Sequence, residues 1–455
     1  MAAQNAEYWS GRLAFILASV GAAVGLGNIW KFPYTLGSSG GSAFVLIYIL
    51  AIVLIATPIM LSEMIIGRRA GKSAPEALKL LASQQGHSPR WSLVGWMGLF
   101  ALLLVLSFYS VIAGWSGAYL VKTLSGQLAG LQPEQTAKQF GAFLHSPGSL
   151  TFWHVLFTGA TIIVVAKGIK TGLERVITIV MPALFVMLIG LVIYSALTAN
   201  FAQALEFLFR PDFSKLDSKV VLAAVGQAFF SVNVGVGAVL TYSAYLPKDV
   251  NLFRSALTIS AGDTLVALLA GLVIFPLVFA FDLDPGEGPG LVFVTLAAAF
   301  GQMPGGSFVG AAFFLMLLLA ALTSSLSMLE TATARAVEFE GVTRGMAACV
   351  IGGVAAALGL ITVLSFSHWE NLYLLAGFDS FATKTPFDLI DYLVSNVMLP
   401  LGGVLYALFA GWWLSREMQV QELGVGDGGL FRLWLGLVRV VAPAAVAMVF
   451  YFNLT

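Results

Sequence analysis

Residues 21 to 34 read GAAVGLGNIWKFPY, and Gly21, Gly25 and Gly27 fall within seven residues. An amide, Asn28, and a cation, Lys31, follow at once. A second stretch, SVNVGVG at 231–237, has the same make-up: Gly235 and Gly237 beside Ser231 and Asn233. Glycine is a poor helix former. Where a helix unwinds, carbonyl and N–H groups come free and must bind something. Asp263, in SAGDTLVA, is a lone carboxylate in an apolar run, and Thr323 and Ser324, in LTSSLS, are adjacent hydroxyls in another. Hydroxyls in helices usually bond the preceding turn, so LTSS by itself is ordinary helix. The groups that would signal catalysis are scattered. His87, His145, His154 and His368 fall in loops or near the ends of apolar runs and read as surface residues. The single cysteine, Cys349 in AACVIGG, reads as a buried small residue. With one cysteine there is no internal disulfide, and no Cys/His or Ser/His/Asp cluster points to an enzyme.

The elements that position these groups follow from composition. The chain has 455 residues, 59% of them hydrophobic and 10% charged, with a mean hydropathy of +0.91. Soluble domains carry about 25% charged residues. Runs able to cross about 30 Å of hydrocarbon recur along the whole length. This is an all-α polytopic membrane protein; a β-barrel would show short alternating segments. Zero net charge gives no sign of nucleic acid or of an acidic partner, and no obligate protein partner is evident.

Eleven spans are expected, at 12–36, 43–66, 92–124, 151–167, 173–197, 220–246, 253–281, 307–336, 344–363, 389–415 and 431–453. The N-terminal MAAQNAEYWSGR lacks the features of a signal peptide, so the first span is expected to be retained. Lys and Arg concentrate in alternate loops (Arg68, Arg69, Lys72, Lys79 and Arg90 in the first), whereas Asp282, Asp284 and Glu287 lie opposite. The N-terminus is therefore expected in the cytoplasm and the C-terminus outside it. The polar stretches 125–150, 198–219 and 282–306 are too short for cores of their own. PGEGPG and MPGG in the last are turn chemistry, serving as a cap or as a plain connector.

The two glycine-rich stretches lie in the first span of residues 1–200 and the first span after 219. Paired interruptions of this kind mark the binding site of secondary transporters, because lipid cannot satisfy an unwound backbone. Either stretch alone reads first as close helix packing; Gly21 and Gly25 fit GxxxG. No strand precedes GLGN, so it is not a dinucleotide loop.

RLAFILASVGAAVGLGNIWKFPY (12–34) resembles the first helix of the neurotransmitter:sodium symporter family. GGSAF (40–44), EMIIGR (63–68), VGQAFFSVNVGVGAVLTYSAYLPK (225–248) and LTSSLS resemble further family stretches in order, over essentially the whole chain. The resemblance is to the bacterial hydrophobic-amino-acid branch. It implies a leucine-transporter fold in a single domain, 1–455. Inverted five-helix repeats would occupy 12–197 and 220–415, with an eleventh helix at 431–453 and helices 1 and 6 unwound at mid-membrane. It also implies the bacterial inner membrane as the location.

The resemblance further implies two sodium sites. The first would use Ala23, Asn28, Ser231 and Asp263; the second Gly21, Val24, Ala320, Thr323 and Ser324. Many relatives have asparagine where this chain has Asp263, and some bacterial members carry a glutamate one turn later, where this chain has Ala267. Asp263 can supply that negative charge itself, so chloride independence is expected. The other reading of Asp263 is a protonated structural residue. The substrate would lie among Ala22, Gly25, Leu26, Gly27, Val105, Tyr109, Phe230, Ser231, Asn233, Val236, Ser324 and Met328. Monoamine carriers have aspartate in place of Gly25, and the lining is mainly apolar, so a hydrophobic or aromatic α-amino acid is implied. Asn233 departs from the usual serine.

Lys31 and Asp391 correspond to an outer gate, Tyr245 and Glu338 to an inner one. The N-terminal arginine that relatives pair with the inner acid is missing from AAQNAEY. Gly172 and Pro182, nine residues between them, match a pattern for unwinding of the fifth helix. The expected activity is sodium-coupled uptake by alternating access. The alternatives are a proton-coupled amine or organic-solute carrier with Asp263 as the proton site, and a channel or substrate sensor on the same fold.

Overall fold

The computed structural model describes residues 9–210, 212–286 and 290–454. Expectations that rest on residues 1–8, among them the stretch before Trp9, and on Glu287 lie outside the described residues. Every regular element among the described residues is helical. In chain order these are α1 Arg12–Ala23, α2 Gly27–Ser38, α3 Ser42–Ala70, α4 Ala74–Gln84, α5 Pro89–Leu124, α6 Pro133–Leu144, α7 Pro147–Ala166, α8 Ile169–Thr198 and α9 Phe201–Phe209. They continue with α10 Ser218–Val232, α11 Ala238–Ala244, α12 Leu252–Ala280, α13 Leu291–Gln302, α14 Gly306–Ala336, α15 Arg344–Ser365, α16 Pro386–Trp413, α17 Arg416–Leu423 and α18 Gly429–Tyr451.

Among the described residues nine helices are long and apolar enough to cross a membrane, and α1 with α2, bent by 48°, make a tenth. The span expected at 220–246 is not one helix. It divides into α10, 15 residues, and α11, 7 residues. Each falls short of the about 20 residues a crossing needs, so only the two together cover the distance. The stretch 282–306 holds more than turns, because α13 buries Leu291, Phe293 and Phe300.

The centre of the bundle is packed by α5 and α14, both long and mostly buried. Its periphery stays apolar where it is exposed: Ile179, Val186 and Leu197 of α8 are 66, 71 and 80% exposed. A bundle dissolved in lipid gains nothing by hiding such side chains. For the same reason Cys349, expected inside because its run is apolar, lies exposed on α15. His154 corrects the reading in the other direction. It is fully buried on α7, its Nδ1 3.0 Å from Ser110 Oγ of α5 and its Nε2 3.0 Å from the Ala356 carbonyl of α15. His87, His145 and His368 are exposed.

Candidate functional site

The first break is made by Val24, which leaves the helical region (φ −68°, ψ 111°) after donating to Val20. The next N–H groups find side chains instead of helix. Gly25 N donates to Asn28 Oδ1 at 3.2 Å and Leu26 N to the Tyr109 hydroxyl at 3.1 Å. Ser324 Oγ, on α14, bonds the Val24 carbonyl at 3.0 Å and lies 3.3 Å from that of Gly21. Gln227 Nε2, on α10, donates to the Gly27 carbonyl at 2.8 Å. Glycine at position 25 lets both groups come close: a Cβ there would stand 2.4 Å from Ser324 Oγ and from the Tyr109 hydroxyl, so one of them would have to shift.

The second break has a different backbone. Asn233, Gly235 and Gly237 take φ of 56°, 93° and 78°, the region that asparagine and glycine enter at least cost. Glu63 of α3, fully buried, accepts from Gly235 N at 2.6 Å and from Leu240 N at 3.4 Å. Glycines of α16 close on the same turn: a Cβ on Gly402 would lie 1.9 Å from the Gly235 carbonyl oxygen.

Between the breaks the side chains form two oxygen-rich clusters. In one, Asp263 Oδ1 accepts from Asn28 Nδ2 at 2.8 Å, and Oδ2 accepts from Ser231 Oγ at 2.6 Å and from the Tyr48 hydroxyl at 3.2 Å. All four residues are fully buried. In the other, Thr323 Oγ1 bonds the Ala320 carbonyl at 2.9 Å, beside the Ser324 contacts to Gly21 and Val24. Every residue expected at the two cation sites thus falls in one cluster or the other, apart from Ala23, which lines the adjoining cavity. That narrow cavity is lined by Ala22, Gly25, Gly27, Val105, Tyr109, Phe230, Asn233, Val236, Ser324 and Met328, with Leu399 added. Leu26 contributes its N–H, and Ser231 joins the Asp263 cluster instead.

On the face where α2 ends, Lys31 Nζ lies 3.8 Å from Asp391 and 4.0 Å from the Phe230 ring centre. At the opposite face two acids, Glu338 and Glu330, are both engaged. Glu338 is bonded to Ser73 N and Oγ at 2.9 and 2.6 Å, which ties it to the loop before α4, and to Arg335 at 3.0 Å. The Tyr245 hydroxyl donates to Glu330 at 3.2 Å, and Glu330 is paired with Arg344. Close by, Trp9 N donates to the Tyr245 carbonyl at 3.3 Å and Trp9 Nε1 to the Tyr242 carbonyl at 2.9 Å, while Ser10 N and Oγ both bond Glu174. Glu174 ends the wide first turn of α8, Ile169–Glu174, which contains Gly172. Pro182 lies inside the same helix, and the adjacent Met181 sulfur stands 3.0 Å from where a Gly21 side chain would begin.

Sequence reasoning missed Tyr48, Gln227, Glu63, Leu399 and the Ser10–Glu174 contact. Glu63 carried a usable signal, since it is a lone acid in an apolar run just as Asp263 is. The others carried none, because a tyrosine or a glutamine in a helix says nothing of what it faces.

The model of the sodium:neurotransmitter symporter family matches residues 6–140 and 134–454. An uncharacterised sodium-dependent transporter of Bacillus subtilis, YhdH, is 38% identical over 453 residues, covering 99% of this chain and 98% of its own. An uncharacterised sodium-dependent transporter of Haemophilus influenzae is 33% identical over 456 residues, 98% of each chain. The crystal structure of MhsT in complex with L-phenylalanine superposes with a TM-score of 0.90 at 43% identity, over 98% of this chain and 99% of that one. The fold is therefore the leucine-transporter fold.

Proposed function

The chain belongs to the sodium:neurotransmitter symporter family, a family of transporters and not of enzymes, and on that premise we propose that it carries a hydrophobic or aromatic α-amino acid into the cell, driven by sodium. The observation that carries this reading is the Asp263–Asn28–Ser231 cluster beside the unwound backbone of α1. Sodium takes oxygen ligands, and these groups supply one carboxylate, one amide and one hydroxyl. The Gly21, Val24, Ala320, Thr323 and Ser324 oxygens supply a second, neutral set. Asp263 accepts from Asn28, Ser231 and Tyr48, which holds both of its oxygens in the cluster. Its charge also removes the need for chloride.

The substrate carboxylate would meet the N–H groups that open α2 and the Tyr109 hydroxyl, where the helix dipole favours an anion. Its side chain would lie against Val105, Val236, Met328 and Leu399. MhsT, bound to L-phenylalanine in the superposed structure, supports an amino acid of this kind.

Lys31, Asp391 and Phe230 form the outer closure. At the inner face Trp9 on Tyr242 and Ser10 on Glu174 take the place of the missing arginine. Trp9 and Ser10 would then move together with the first turn of α8, letting water reach the neutral site. Lys and Arg in the loops at that face support a cytoplasmic N-terminus. Because the ions bind one form better, the sodium gradient shifts the population between outward- and inward-open states.

The test is uptake by the purified full chain in proteoliposomes. An inward sodium gradient should drive accumulation of leucine or phenylalanine, undiminished when gluconate replaces chloride. Uptake driven by a proton gradient without sodium would overturn the reading.

A further inference from the structure

Three polar side chains line the cavity between the breaks: Tyr109, Ser324 and Asn233. The first two are engaged. The Tyr109 hydroxyl accepts from Leu26 N, and Ser324 Oγ donates to the Val24 carbonyl. Asn233 differs from both. It is 9% exposed, and its Nδ2 is enclosed and finds no partner among the described residues. A buried amide donor in that state costs free energy that a partner would recover. Turning the amide over only puts Oδ1 in the same dry place.

Backbone demand does not account for the residue. Asn233 adopts φ 56°, ψ 41°, which asparagine tolerates. Glycine tolerates it better, and the same segment uses glycine at 235 and 237. What asparagine adds over glycine here is the amide. It is also held in place, because the turn that follows is pinned by Glu63 and pressed against Gly402. A pre-positioned polar group gives selectivity at little cost in ordering. Around it the wall is apolar: Val105, Val236, Met328 and Leu399.

We infer that Asn233 is the specificity-determining residue of the cavity, hydrogen-bonding a neutral polar atom on the substrate side chain. The favoured substrates are then amino acids with an apolar body and one hydroxyl or amide group: tyrosine over phenylalanine, threonine over valine, glutamine over leucine. Removing the complementary group leaves the amide unpaired in the complex, and a site built to bond it discriminates on that ground. The inference rests on the amino-acid reading above.

The experiment is competition for sodium-driven uptake by these pairs, in proteoliposomes holding the full chain. Wild type should prefer the polar member of each pair by about tenfold. Asn233→Gly, which keeps the left-handed backbone and removes the amide, should bring each ratio close to one. Should that variant not fold, as judged by melting, Asn233→Ser and the wild-type ratios carry the test. Equal use of both members by wild type overturns the inference alone. So does a variant that weakens both members equally, which would place the amide on the backbone groups every amino acid shares. If wild type takes up no member of any pair with sodium, the amino-acid reading falls and takes this inference with it.

Discussion

The two breaks that face each other across the cavity are held open in opposite ways. At α1 and α2 the freed backbone groups are bonded by Asn28, Tyr109, Ser324 and Gln227, all neutral side chains from four different segments. At α10 and α11 one buried carboxylate, Glu63, takes two N–H groups, and glycine contacts with α16 lock the turn. Neutral bonds exchange readily with a ligand's own polar groups. A carboxyl group enclosed with the amides it bonds does not, because no water or ligand reaches it to take over those bonds. On the proposed reading, the first break offers exchangeable backbone groups to a ligand, and the second is a fixed wall that carries Ser231 and Asn233.

The largest effect should come from undoing the wall. Glu63→Ala leaves the N–H groups of Gly235 and Leu240 unpaired in the dry interior and should cost about 2–5 kcal/mol. Size-exclusion profiles and melting would then show an unstable protein whatever the sodium concentration. If Glu63→Ala melts like wild type, the wall is not what holds the turn. Asp263→Ala should instead leave a folded protein without sodium-dependent stabilisation. At a sodium concentration 100 times the dissociation constant, wild type should gain about 2.7 kcal/mol from binding, and the variant should gain little of it. A sodium-induced melting shift as large as that of wild type would contradict the assignment.

Smaller still is the expected effect of Pro182→Ala. Restoring a backbone bond in α8 should slow sodium release to the inner face several-fold, with the melting temperature little changed; an unaltered release rate would sever α8 from the first break. The smallest effect lies away from both breaks, at His145. The Gly141 carbonyl and the Glu370 carboxylate raise its affinity for a proton above that of a free histidine. The folded form therefore holds the proton more tightly. This contribution is complete below the ordinary histidine range and fades as pH rises through the raised value. The pair is exposed, so the melting shift between pH 6 and 8.5 should be about 1 °C or less. It should vanish in His145→Ala without altering the sodium response.

Much of this was legible in the sequence. Apolar runs located the spans, and glycine beside Asn28 and Ser231 located both breaks, because an unwound turn needs residues that break helices cheaply. The lone acid at 263 announced itself by its cost in an apolar helix. Glu63 was equally visible and went unread as a site, since it lies inside a stretch quoted only for its likeness to the family. Burial was legible least well. Cys349 and His154 were assigned to the wrong sides, because in a membrane the outer and inner faces of a helix are equally apolar and hydropathy cannot tell them apart.

Sequence by itself determined which residues could serve the site: the segments that unwind, the acid, and the hydroxyls of LTSS. Only the tertiary structure decided which of them meet. Tyr48 reaches Asp263 across 215 positions and Asn28 reaches it across 235, and no local propensity encodes such pairings. They arise because packing α1, α10, α12 and α14 together brings side chains from distant parts of the chain into one buried cluster. The same packing encloses Asn233 Nδ2 at the cavity without a protein partner among the described residues.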